Sequence, residues 1–476
     1  MHTPEPRRGP AGPALAAGPA PHTPHRGPGP RALAPDLARG VMLLFIAIAN
    51  VSWFLYGGDE HPAVVHPTDG TVLDRALSTL AILFVDARVY PMFAFLFGYG
   101  MVQFATSRAA RGIPEPVVRR MLARRHWWMI AFGFVHAALL FAGDILGAYG
   151  LAGLILAALF FRRTDRTLKI LVWVVVAMLA VSALFSLFGA VMVSWVLPQA
   201  TGMSAEELAG DTGFTVGSQR GMLSGDGNYL VSVGARVLFF ALGLFGQLLG
   251  LVVPACILLG WFAARHRFLE DSERHRRLLG RTALWGILIG VLGAVPQALS
   301  YLGLLPLADA AWWGTMGLVT LTGMAGGVGY AALFGLLALR LRSRVRSPLR
   351  AVAAVGKRSL SFYLLQSLIF APLLAAWGFG MGEWMGTAGA YALAVAVWVL
   401  SLVIAGVLES RGRRGPAEAL LRRLTYRRDD PAGLHPAGAV PTRSDPPGPA
   451  GQGRPPPPQP SVPPPPIDPP SRGASP

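Results

Sequence analysis

The stretch His136 to Gly150 reads HAALLFAGDILGAYG, one imidazole and one carboxylate among almost wholly apolar neighbours. An imidazole that titrates near neutral pH, with a carboxylate to orient it, makes a general base or a proton relay. The same two residues also serve as helix punctuation, because a carboxylate caps the free N–H groups of a helix start. On a continuous helix, the eight residues between His136 and Asp144 separate them by about 12 Å, which is out of contact. Gly143 and Asp144 read instead as a break, with Asp144 capping the helix that follows. His136 then stands alone and deep, in either a structural hydrogen bond or chemistry. Its partner must come from another helix, with Asn50 and Gln366 the first places to look.

Other polar residues fall within apolar runs. Asp36 and Arg39 are spaced i, i+3 and can pair on one helical face, while Pro35 and Asp36 suit a helix start. Asn50 lies about three turns beyond Arg39 on nearly the same face, where a buried amide needs partners. Ser359, Tyr363, Gln366 and Ser367 form a polar stripe at i, i+4, i+7 and i+8. Lipid cannot satisfy such groups, so the stripe faces protein or a wet cavity, which Gln247 and Gln297 could join. Pro254 and Pro296 mark kinks. The chain lacks a P-loop, a GxSxG elbow, an HExxH pair and a CxxC pair, so no cofactor and no metal is expected. Gly323, Gly326, Gly327 and Gly329 read as close helix packing, since they follow no strand. The single cysteine, Cys256, sits in an apolar run and reads as a small buried hydrophobe.

The elements that must position these groups are set by composition. Of 476 residues, 53% are hydrophobic and only 14% charged, with a mean hydropathy of +0.47. Apolar residues fall in runs long enough to cross a bilayer core of about 30 Å. The fold class expected is all-α, a polytopic membrane bundle of about ten transmembrane helices. They lie at roughly 38–57, 89–107, 126–142, 145–161, 169–197, 234–262, 282–304, 312–339, 359–377 and 388–408. The stretch 72–88 is apolar but carries Asp74, Arg75, Asp86 and Arg88, and reads as an interfacial helix. Basic residues crowd the loops 108–125, 162–168, 263–281, 340–358 and the tail from 409. The alternate loops hold Asp59, Glu60, Asp69, Glu206, Glu207, Asp211, Asp226, Asp309 and Glu383 instead. The positive-inside rule then puts both termini in the cytoplasm and the chain in the cell membrane. The net charge of +17 is accounted for by orientation. No aromatic–basic interleaving or recognition-helix pattern points to nucleic acid.

This divides the chain into a Pro/Gly-rich, disordered 1–30; a five-span bundle with the interfacial helix over 31–197; an external loop 198–233; a second five-span bundle over 234–428; and a Pro-rich cytoplasmic tail 429–476. The external loop reads as a connection or a lid. The tail adopts polyproline II and reads by default as a solvated tail, with a docking site for a proline-recognising partner as the alternative.

Taken together, these segments resemble the YeiB-like family of bacterial multi-pass membrane proteins, whose function is unknown. The resemblance rests on Arg31, Asp36, Leu37, Arg39, Gly40 and Asn50 in the first span, and on Phe93, Phe97, Gly98 and Gly100 in FAFLFGYG. It continues through His136, Gly143, Asp144 and Tyr149, then through GKRSLSFYLLQS and RRGPAEALLRRLTY. Lys357 stands where the family usually has Arg, Phe362 where Asn is common and Ala419 where Trp is frequent. The resemblance also implies a loose kinship with transmembrane acyltransferases, which share the Asp-x-x-Arg-Gly first span. Many of those carry a functional His late in that span, where this chain has Asn50.

The function expected is transport of an unknown small molecule across the membrane, with the bilayer as the surrounding partner. The alternatives are an acyltransferase-like enzyme that modifies an extracytoplasmic acceptor, and a structural or regulatory membrane protein. His136 is the candidate catalytic residue. Asp36, Arg39, Asn50, Asp144, Tyr149, Tyr363, Gln366 and Ser367 are candidates for a polar cavity. Under either active role, His136, Arg39, Asn50 and Gln366 should line one shared cavity. Arg39, or Arg124 with Arg125, would hold donor phosphates.

Overall fold

The structure, a computed structural model, describes residues 33–209, 215–305, 307–308, 311–341 and 347–426. The terminal segments 1–30 and 429–476 lie outside the described residues, as do Arg31, Asp211, Asp309, Arg342, Arg344 and Arg346. The described chain is helical, without a strand. Its main helices are α1 Leu33–Val51, α2 Val72–Phe84, α3 Val89–Ala109, α4 Glu115–Leu139, α5 Leu146–Phe160, α6 Asp165–Val191 and α7 Tyr229–Leu249. They continue as α8 Val252–Arg265, α9 Arg276–Tyr301, α10 Trp313–Leu341, α11 Ser347–Lys357, α12 Ser359–Leu374, α13 Thr387–Ser410 and α14 Pro416–Thr425.

Among the described residues, seven stretches are long and apolar enough to cross a membrane: Pro35–Phe54, Val72–Ala109, Asp165–Thr201, Tyr229–Leu249, Arg276–Tyr301, Trp313–Leu341 and Thr387–Ser410. Three apolar helices are shorter, α5, α8 and α12. With 15 residues, α5 rises only about 22 Å, short of the bilayer core. Short helices at membrane depth require non-helical backbone to be sealed inside protein. The link between α4 and α5 meets that requirement only in part, with Phe141 and Asp144 buried but Gly143 exposed.

Two expectations change in the folded chain. The single span expected over 234–262 is broken at Gly250–Leu251, where Leu251 takes a φ of 63°. Pro254 explains the break. In a continuous helix its ring would collide with the carbonyl of Gly250, four residues back. Starting α8 at Val252 moves Pro254 into a first turn, where its missing N–H costs nothing. Likewise, α4 begins at Glu115, so most of the expected 108–125 loop is helix, opened by Pro116 in the first turn.

The small residues of α10 act as packing surfaces. A Cβ on Gly290 of α9 would stand 3.0 Å from the Gly326 Cα, and one on Gly327 would stand 2.7 Å from the Arg88 carbonyl. Small-residue stripes let helix backbones approach this closely in membrane bundles. By contrast, α6 turns Trp173, Val181, Leu184 and Phe185 outward, a face suited to lipid. The expected external loop contains the short helix Val216–Ser224, packed on the 52–71 connection through Arg220 and the Val65 carbonyl at 3.0 Å.

Candidate functional site

Helix α4 ends three residues after His136, and the Leu140 and Phe141 amides both donate to the His136 carbonyl. The chain then folds back on itself, so the 12 Å separation of a continuous helix never arises. His136 Nδ1 lies 2.8 Å from Asp144 Oδ1, with both side chains buried. The expectation of a lone imidazole and a separate cap is thereby corrected, because Asp144 does both jobs. Its second oxygen accepts from the Gly147 amide at 2.8 Å, which caps α5. Tyr363 of α12 stands against the pair. Its hydroxyl donates to Asp144 Oδ1 at 3.4 Å, and its ring centroid is 5.0 Å from that of His136. An ionised carboxylate only accepts, so Nδ1 donates to it. Nε2 is buried and has no hydrogen-bond partner among the described residues.

A cavity of about 990 Å³ lies on the other side of Tyr363. Its basic side chains, Arg39, Arg125, Arg267 and Lys357, come from α1, α4, the α8–α9 loop and the end of α11. Two acids, Glu270 and Glu418, share the wall. Deeper, the lining is apolar and aromatic, with Leu43, Ile46, Phe93, Phe97, Tyr149 and Tyr363. All four cations sit in or beside the arginine-rich connections, so the cavity is charged toward that face. Glu418 of α14 holds the start of α12. It accepts from the Leu360 amide at 2.8 Å, the Ser361 amide at 3.1 Å and the Ser361 hydroxyl. Burial pushes the Glu270 carboxyl up to about 7, and the neighbouring charge of Asp271 pushes the same way.

The other expected site residues divide. Arg39 lines the cavity, pairs with Asp36 at 3.6 Å and donates to the Leu96 carbonyl at 3.3 Å. Tyr149 lines it too, and donates to the Tyr90 carbonyl at 2.6 Å. Gln366 does not line it. Its amide nitrogen donates to the Leu43 carbonyl of α1 at 2.9 Å, a helix-to-helix tie. Ser367 is buried and Asn50 half-buried, both away from this cavity. The shared cavity expected for His136, Arg39, Asn50 and Gln366 therefore fails, because only Arg39 of the four lines it. Of the expected pair Arg124 and Arg125, only Arg125 is in the wall. Gln297 also leaves the expected interior, donating instead to the Ala63 carbonyl at 3.2 Å.

Several groups were missed in the sequence. Glu270, Gln103 and Arg267 reach the cavity from a loop and a helix that read only as topology. His126 is fully buried against Phe97, and both ring nitrogens lack hydrogen-bond partners among the described residues. Away from the cavity, His66 Nε2 meets Asp86 Oδ2 at 2.7 Å, twenty residues along the chain. No pattern in the sequence flags this pair, because the backbone between them runs through a loop and the whole of α2.

Comparison with known proteins places this architecture. A family described as "Protein of unknown function (DUF418)" matches residues 263–428. The YeiB protein of Escherichia coli K12 is 31% identical over 416 residues, covering 83% of this chain and 97% of YeiB. The chain belongs to the YeiB-like family. Its relatives include YxaH of Bacillus subtilis strain 168, 26% identical over 409 residues, which cover 82% of this chain and 93% of YxaH. Both relatives are described as uncharacterized. The YeiB match covers 83% of this chain, so the His136–Asp144 pair lies within it.

Proposed function

We propose that this membrane protein carries a small anion with an apolar portion across the bilayer, admitting it from the arginine-rich, cytoplasmic face. One observation supports this above the rest. The 990 Å³ cavity sets Arg39, Arg125, Arg267 and Lys357 around an aromatic and aliphatic interior. Clustered guanidinium groups hold carboxylate, sulfonate or phosphate oxygens through paired N–H donors. Apolar walls take the remainder of the molecule, the usual division of labour in a ligand pocket. Uptake of radiolabelled benzenesulfonate into proteoliposomes tests the proposal, with benzyltrimethylammonium as the cation of similar size. The anion alone should accumulate, and Arg39→Gln should slow it at least about tenfold, the worth of one lost charge-assisted contact. Equal uptake of the cation, or none of the anion, refutes it.

A second function is favoured by the oriented His136. With Asp144 on Nδ1 and an unpartnered Nε2, it has the form of a general base for acyl transfer. The same basic cluster would then hold the phosphates of an acyl-coenzyme A donor. Donor turnover by the wild type that is lost in His136→Gln would replace transport with this enzyme activity.

A further inference from the structure

Glu270, an acid of the cavity wall, carries no local signal in the sequence. It reaches the wall from the α8–α9 loop and meets two residues of α3. Gln103 Nε2 donates to Oε1 at 2.6 Å, and the hydroxyl of buried Tyr99 meets Oε2. The Leu269 amide in turn donates to the Tyr99 hydroxyl at 3.2 Å. This shell suits both protonation states. An ionised carboxylate accepts from Gln103 and Tyr99. A protonated one carries its proton on one of the remaining lone-pair positions and still accepts from both Gln103 and Tyr99. Both hydrogen bonds survive either state, so the site can change charge without rebuilding.

We propose that the Glu270 carboxyl, held by Tyr99 and Gln103 in the cavity wall, takes up a proton when the anion binds and releases it when the anion leaves. The proposal rests on the anion cavity described above. Its physical basis is repulsion in a poorly solvated space. An incoming anion adds negative charge close to a carboxylate and favours its neutral form. Linkage makes the effect reciprocal, so a protonated Glu270 must bind the anion more tightly. The burial that pushes Glu270 up to about 7 puts this exchange in the range a cell can use. Arg267 and Asp271 flank it on its own loop, and Arg39, Arg125, Lys357 and Glu418 face the same cavity. The arginines and the lysine stay cationic through neutral pH. His266, on the same loop, is engaged with Asp165 at 3.0 Å.

Calorimetric titration of the full protein with benzenesulfonate, an anion at every pH used, tests this in buffers of different ionisation enthalpy. Near pH 7 the wild type should take up a substantial fraction of one proton per anion. Its affinity should fall about tenfold between pH 5.5 and 8.5, as expected for one linked site. Glu270→Gln should bind as tightly as the wild type at low pH, with neither proton uptake nor pH dependence. His266→Gln should behave as the wild type does. Anion binding without proton uptake in the wild type overturns the proposal, as does pH dependence that survives in Glu270→Gln. Failure of every variant and of the wild type to bind benzenesulfonate overturns the cavity proposal instead, so the two failures are distinct.

Discussion

Asp144→Ala should be among the most damaging single substitutions in the protein, and its effect should be strongly coupled to His136. The mutation deletes the acceptor of three buried donors: His136 Nδ1 and the Gly147 amide at 2.8 Å each, and the Tyr363 hydroxyl at 3.4 Å. A buried donor left without an acceptor costs about 1–3 kcal/mol, and a lost helix cap about 1 kcal/mol. Hydrogen bonds between membrane helices average only about 0.6 kcal/mol, because unfolded helices in lipid also find partners. With the long Tyr363 contact set aside, the sum is about 2–4 kcal/mol. Asp144→Asn keeps one acceptor oxygen, enough for the cap or the imidazole but not both, and should cost about half as much. In a double-mutant cycle of Asp144→Asn with His136→Gln, the coupling should exceed about 1 kcal/mol, above the 0.5 expected of independent sites. Reversible unfolding in bicelles measures all four corners. Additive losses would refute the pairing, as would an Asp144→Ala protein as stable as the wild type.

Three more outcomes follow from packing and charge. Gly290→Val should lower bundle stability by about 1–3 kcal/mol in the same unfolding assay, the cost of overpacking, because its side chain meets the Gly326 backbone. Glu418→Ala should speed amide hydrogen exchange at Leu360 and Ser361 at least about fivefold, the amides that its carboxylate now accepts from, as loss of a cap worth about 1 kcal/mol or more requires. Unchanged exchange would mean that α14 does not hold the start of α12. Glu270, raised from 4.5 to about 7, favours its neutral form in the folded state. Its contribution to stability is therefore full below about pH 4.5 and lost as pH rises through 7. Glu270→Gln should flatten the thermal stability profile across that window.

The fold was largely legible because membrane helices announce themselves through long apolar runs, and the charged loops between them give the alternation. Boundaries failed where a local rule competed. The clash of Pro254 with the Gly250 carbonyl split one apolar run in two, which hydropathy cannot see. The site was legible residue by residue but not as an assembly. His136, Asp144, Tyr363, Arg39 and Arg125 were all singled out. Spacing along a helix nevertheless placed His136 and Asp144 apart, because the end of α4 at Leu139 leaves no mark in the sequence beyond a nearby glycine. Gln366 looked like cavity lining because a mid-helix amide needs a partner; the Leu43 carbonyl meets that need just as well. Glu270 sat in a loop whose many arginines served topology, and nothing local separates a wall residue from a solvated one.

Tyr363 is the point at which the two functions part. It lines the cavity on one side and touches Asp144 and His136 on the other, so the imidazole is walled off from whatever the cavity holds. A base cannot take a proton from a molecule it cannot approach to about 3 Å. Acyl transfer at His136 thus requires Tyr363 to swing aside, while anion binding in the cavity does not. Diethyl pyrocarbonate, which modifies exposed imidazoles, reads the difference. In the wild type His136 should resist the reagent, whereas Tyr363→Ala should open the cavity onto the ring and raise its modification rate at least about tenfold, with Tyr363→Phe remaining closed. Rapid modification of His136 in the wild type would show that the ring is already reached from the cavity. The His136–Asp144 pair would then be a working base rather than a buried brace between α4, α5 and α12.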